Sequence, residues 1–378
     1  MKKESGRIHE FEVLRGLLAA WVMIGHVFKH SGYTPDSLRP FSLLADPGMP
    51  VDVFIILSGF VIFSLLDHKH EGYWPFIIRR FFRLFPLFLV VLLVSTALVV
   101  PALAWREAFP WKTPFLEGVI GLNKASADYL AQHFMVHLTM LHGLVPDSIL
   151  PASEYAIVGQ AWSISVEWQF YLLAPFLFYL LRRNPIALGL VVLGLIALHS
   201  RYWLGEGFAL NEGQFFLIGI VSFYLYRNLA VTGPQLFLGA ATATALLFWI
   251  SLHPISLTIW VVALAAAMHA KGGGKNPFSY FATLAVPQWL GRISYSVYLW
   301  HALVIVCLSR LILLAIPGIS QSQHSALLMV STVVGALGLS AASFRLIEQP
   351  GMNAGHFLAK KLRATAASPP DALAEKVS

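Results

Sequence analysis

Along this chain long apolar stretches alternate with short segments where Lys, Arg, Gly and Pro collect. Residues 81–100 and 185–198 are two such stretches, and as helices runs of this kind suit a hydrocarbon core of ~30 Å. The pattern predicts ten membrane-spanning helices, at 13–28, 50–66, 82–100, 161–181, 186–201, 209–227, 235–251, 254–270, 290–316 and 325–347. The expected fold is therefore all-α, a polytopic transmembrane bundle formed by residues 1–350. Residues 351–378, rich in Ala, Pro and charge, read as a disordered cytoplasmic tail.

The distribution of basic residues orients the bundle. With the N-terminus inside, eighteen of the 26 Lys and Arg fall on inner segments and seven on outer ones, which places both termini in the cytoplasm. Residues 129–145 are apolar enough to suggest another span. A crossing there would invert every later loop and put most of the basic residues outside, so this stretch is expected to stay in the outer segment as a re-entrant or interfacial helix.

Composition agrees with this picture. The chain has 57% hydrophobic and only 12% charged residues, against about 25% charged in soluble domains. A soluble enzyme and a disordered chain are both excluded. The net charge of +7 is dispersed between apolar runs, so it marks topology and does not form a nucleic-acid-binding patch. Cys307 is the only cysteine, which rules out disulfides and Cys-based metal sites.

The informative residues are the polar ones inside apolar runs, where a charged side chain costs about 2.5–3.5 kcal/mol even on a lenient scale. Arg15 and His26 lie eleven residues apart, about three turns, and so share one face of the first helix. Arg79, Arg80 and Arg83 precede Pro86. Arg80 and Arg83 share a face at i,i+3 while Arg79 points elsewhere, and paired guanidinium forks suit phosphate. Glu167 enters the membrane from outside behind Trp162, at about the depth of His26, and Asp52 reaches the same layer. Either carboxylate would fix the tautomer of His26 and raise its basicity. The Ser/Tyr stripe 294–301, with Tyr298 and ending in His301, suggests the lining of a polar cavity. His133, His137 and His142 lack a His-Glu-x-x-His pattern or a carboxylate motif, so no metal site is expected.

Taken in order, these segments resemble the acyltransferase-three family of integral membrane enzymes, which acylate sugars and other glycoconjugates. The matching segments are Leu14-Arg15-Gly16 through Gly25-His26, then Pro50 to Phe60, Arg79 to Pro86, Trp162 to Glu167, Ser294 to His301 and Arg345 to Pro350. Two positions depart from the family pattern. Glu12 stands where Asp is frequent, and Trp168 follows the glutamate where a second charged residue is common.

The resemblance implies transfer of an acyl group, expected to be acetyl, from cytoplasmic acyl-CoA to a hydroxyl of a carbohydrate or glycolipid acceptor, in a bacterial-type inner membrane and without a metal. Arg80 and Arg83, assisted by Arg15, would hold the CoA phosphates. His26 would act as base or acyl carrier, balanced by Glu167 or Asp52, with Trp162, Tyr298 and His301 lining the substrate path. Intramembrane His, Arg and Glu also suit a proton-coupled transporter or flippase, which is the alternative from another class. Against it, the chain lacks the paired, interrupted helices of many carriers.

Overall fold

The computed structural model describes residues 8–34, 36–39, 42–69, 71–184, 186, 189–190, 205–229 and 253–367. Within them the chain is helical, without strands. The helices are α1 His9–His30, α2 Gly48–Lys69, α3 Tyr73–Glu107, α4 Pro114–Asp128, α5 Leu130–Leu138, α6 Trp162–Arg183, α7 Gly213–Asn228, α8 Pro254–Lys271, α9 Pro277–Thr283, α10 Ala285–Ala315, α11 Gln321–Ser343 and α12 Gln349–Ala367. Seven helical stretches among the described residues are long and apolar enough to cross a membrane. The span expected at 235–251 lies outside the described residues, as does the one at 186–201 apart from positions 186, 189 and 190.

Local chemistry sets several helix ends. In α1, Glu10 and Glu12 sit in the first turn and Lys29 and His30 in the last, matching the helix dipole at both ends. Thr113 caps α4 by accepting from the Leu116 amide, ahead of Pro114 at the first position. Ser320 and Gln323 form a capping box at the start of α11.

Close helix crossings fall at glycines. A Cβ at Gly16 of α1 would lie 2.7 Å from the Gly291 amide nitrogen of α10, and one at Gly59 of α2 would meet the Phe216 carbonyl of α7. Small residues at such crossings let backbones approach where lipid gives no hydrophobic drive for association. Gly16 and Gly59 thus serve packing, while Arg15 and Ser58 beside them face a cavity.

One end of the bundle is basic. There Arg227 at the end of α7 pairs with Asp67 of α2 (2.7 Å), and Glu71 pairs with both Arg79 and Arg363. At the opposite end α4, α5 and the turns around them form a cap, and Gln321 of α11 donates to the Gly32 carbonyl (2.8 Å). α5 is a nine-residue helix, about 14 Å long, too short to cross, in keeping with an outer position for 129–145.

Two differences from the expected boundaries bear on the site. α3 starts at Tyr73, nine residues before the predicted 82, so the arginine run sits inside the helix and not at its start. The aromatic and basic stretch ahead of residue 82 hid its helicity because its partners are side chains on distant helices. Residues 351–367 are the second correction, since they form most of α12 where a disordered tail was expected. Gly351 and Gly355 lie four apart and let α12 rest on Phe82, Pro86 and Arg79 of α3. A five-residue π-helical segment, Phe344–Glu348, joins α11 to α12 and turns Glu348 inward.

Candidate active site

Two cavities meet inside the bundle. The first, about 110 Å³, is lined by Arg15, Arg80, Arg83, Glu167, Tyr171 and Tyr298, among others. The second, about 400 Å³, opens beneath the cap and is lined by His26, His30, Arg106, Trp162 and, again, Tyr298. Arg15 and His26 lie on one face of α1, and each looks into a different cavity.

Tyr298 lines both spaces. Its hydroxyl donates to the Gln160 carbonyl (2.9 Å) and lies 2.7 Å from Ser163 Oγ. Gln160 in turn donates through Nε2 to the Leu299 carbonyl (2.7 Å), tying the start of α6 to the middle of α10.

The guanidiniums of the first cavity are not equivalent. Arg83 donates to Glu348 Oε1 (2.8 Å), and Ser296 Oγ donates to Glu348 Oε2 (2.8 Å). Glu348 is fully buried, so Arg83 is charge-balanced within the protein. Arg79 turns away to Glu71, as its helical phase predicts. Arg80 packs over the Tyr171 ring, 5.7 Å from its centroid, and its Nε is buried without a partner. Arg15 and Arg80 have no carboxylate at ion-pair distance among the described residues, which leaves them as the free cations of this cavity.

Hydrogen bonds set the tautomers at the histidines. His26 Nδ1 lies 2.9 Å from the Val22 carbonyl and therefore carries the proton. His301 Nδ1 donates to the Tyr298 carbonyl (2.7 Å), so His301 Nε2 presents a lone pair, 3.3 Å from His26 Nδ1. The rings lie 4.9 Å apart. His26 Nε2 is left unprotonated as the basic nitrogen of the ring that lines the second cavity.

Among the described residues no carboxylate is hydrogen-bonded to His26, and the two expected partners are engaged elsewhere. Glu167 lines the arginine cavity, where Ser58 Oγ (3.2 Å) and the Tyr171 hydroxyl donate to its Oε1. Asp52 accepts from Ser256 Oγ (2.8 Å) and pairs with His253 Nδ1 (3.0 Å), beside a separate cavity. Depth along a helix was predictable, but the side of the helix facing a given neighbour was not. The proton acceptor beside His26 is the neutral His301. His301 was expected as a lining residue and is instead fully buried against His26.

Sequence reasoning also missed Tyr171 and Glu348. Tyr171 lies one helical turn after Glu167, a spacing that was legible. Glu348 lies 265 positions from Arg83, and no local pattern connects them. Among the described residues no group of His, Cys, Asp and Glu is arranged to hold a metal ion.

The comparisons with known proteins fit this arrangement. A family described as an acyltransferase domain matches residues 8–345. The chain belongs to that acyltransferase family. Nodulation protein 10 of Rhizobium leguminosarum bv. viciae is 26% identical, covering 92% of this chain and 94% of its own length. Exopolysaccharide production protein ExoZ of Rhizobium meliloti (strain 1021) is 25% identical, over 81% of this chain and 89% of its own. Acyltransferase MdmB of Streptomyces mycarofaciens is 27% identical, over 68% and 67%. No solved structure matches. The protein is thus a multi-pass membrane acyltransferase, and the carrier reading gives way to a transferase.

Proposed function

We propose that this acyltransferase moves an acyl group, acetyl in the first instance, from cytoplasmic acyl-CoA to a hydroxyl of a carbohydrate or glycolipid acceptor, in a bacterial inner membrane. The observation that carries the reading is the pair of cavities that share Tyr298 in their walls, one with guanidiniums outside any ion pair and the other with an imidazole. Phosphates of CoA suit Arg15 and Arg80, whose forks lack an internal counter-charge. The basic end of the bundle then faces the cytoplasm. The pantetheine arm passes Tyr298, so the thioester reaches the histidine chamber.

There His26 Nε2 takes the acceptor's hydroxyl proton as the oxygen bonds to the thioester carbonyl carbon. The tetrahedral intermediate collapses, the C–S bond breaks, and the thiolate recovers the proton from His26 as free CoA. While His26 is protonated, its Nδ1–H still points at the Val22 carbonyl and His301 Nε2, which steady the cation without a carboxylate. Direct acylation of His26 is the variant of this chemistry. A trapped acyl-imidazole in the absence of acceptor would identify it. The relative named for exopolysaccharide production supports a carbohydrate-type acceptor.

The test is direct. Purified protein with labelled acetyl-CoA and a glycan acceptor should release free CoA and label the glycan, and His26→Ala should do neither. Acetyl-CoA that stays intact with every glycan offered would overturn the proposal.

A further inference from the structure

The chamber around His26 contains two cations, Lys29 and Arg106, that the transfer steps leave without a task. Arg106 sits in the last turn of α3, which continues past Pro101 and carries the guanidinium to the chamber wall. Its Nε is buried without a hydrogen-bond partner. Among the described residues no carboxylate balances its charge, since the neighbouring Glu107 pairs with Lys124 (3.0 Å). The Asn123 amide oxygen accepts from Arg106, but it is a neutral group.

Lys29 lies over the Phe115 ring, 5.2 Å from its centroid. Two carboxylates also line the chamber: Asp46, which accepts from the Gly48 amide (2.8 Å) and acts on the charge of Lys29, and Glu206, which accepts from the Tyr155 hydroxyl; neither pairs with Arg106. A side cavity of about 20 Å³, sharing His30, Arg106 and Val306 with the chamber, leads on to Arg310.

A buried guanidinium without a counter-charge is unfavourable, and its fork is shaped for two oxygens of an anion. Stabilising a reaction oxyanion would need one donor aimed at one oxygen. Here the Arg106 guanidinium lines the chamber with no carboxylate at ion-pair distance among the described residues, and Arg310 lines the adjoining side cavity. We infer that the acceptor is itself anionic, with a phosphate or carboxylate that seats against Arg106, flanked by Lys29, while its hydroxyl reaches His26. This deepens the proposed function and rests on the histidine chamber being the acceptor side.

The experiment is isothermal titration of the purified full-length protein with methyl glucuronoside and glucose 1-phosphate, with methyl glucoside as the neutral control. At least one charged sugar should bind about tenfold or more tightly than the neutral one. The tighter of the two charged sugars tells whether the recognised anion is carboxylate or phosphate. Arg106→Gln should erase the preference, Arg106→Lys should restore part of it, and Arg80→Gln should leave it intact. Equal binding of charged and neutral sugars, no binding of any of them, or a preference that survives Arg106→Gln would overturn the inference. Acetyl-CoA titrated into the same samples reports folding and separates the two readings: failure of wild-type protein to bind it counts against the donor assignment, and loss of charge preference with donor binding intact counts against this inference alone.

Discussion

The two cavities on either side of Tyr298 are stabilised in different ways. On the arginine side Arg83 is held by the distant carboxylate of Glu348, while Arg15 and Arg80 have no carboxylate at ion-pair distance among the described residues. On the histidine side the His26 ring is held by a backbone carbonyl and a second imidazole. The free pair, Arg15 and Arg80, suits permanent recognition of a polyanion, because guanidiniums keep their charge at any working pH. The histidine arrangement suits a group that must gain and lose one proton per turnover. The difference teaches how the proposed reaction divides the work: donor binding falls to the arginine side and proton transfer to the histidine side.

The sharpest way to break the comparison is to remove the base. His26→Ala should lower acyl transfer by about 10²–10⁴-fold, while acetyl-CoA still binds, as measured by turnover and titration on one sample. Next in size is the buried pair across from it. Arg83→Ala or Glu348→Ala leaves an uncompensated buried charge and should destabilise the fold by about 3–5 kcal/mol, seen as a large drop in melting temperature and in membrane yield. Replacing both by apolar residues should recover much of that loss. Arg80→Ala should raise KM for acetyl-CoA by about tenfold or more with a smaller change in kcat, because it removes a donor contact outside the histidine chamber.

A smaller effect concerns the cap over the histidine chamber. His133, His137 and His142 are fully buried there, and the His137 and His142 rings stack 4.0 Å apart. Burial holds His137 down at about 4 and pushes His142 well below its ordinary value of 6.5. Because their folded values are depressed, the unfolded chain binds more protons below pH 6.5. Stability is therefore fully present above that pH and is lost as pH falls from 6.5 towards 4. The melting temperature should be flat from pH 7 to 8 and fall below 6.5, and His137→Phe should flatten part of that fall. The smallest effect is expected for Asp52→Asn: with its carboxylate held by Ser256 and His253, turnover should stay within a few-fold of wild type.

What the sequence revealed follows from energetic cost. Arg15, His26, Arg80, Arg83 and Glu167 stood out because polar groups in apolar runs need partners, and each of them lines one of the two joined cavities. Depth was legible from helical rise, so His26 and Arg15 fell into the right order. Azimuth was not, which is why Glu167 and Asp52 were expected beside His26 while His301 is its actual neighbour. The same limit hid Glu348, whose partner lies on another helix, and α12, whose polar composition suggested disorder although Gly351 and Gly355 seat it on α3. Packing of this kind depends on where backbones approach, a property of two segments together that neither displays alone.

The most direct test of the two-chamber account is the structure of the protein bound to a non-hydrolysable acetyl-CoA analogue. The account predicts the phosphates against Arg15 and Arg80, and the acyl carbonyl beyond Tyr298 beside His26 Nε2. An acyl group that stays on the arginine side of Tyr298, or phosphates seated in the histidine chamber, would contradict it.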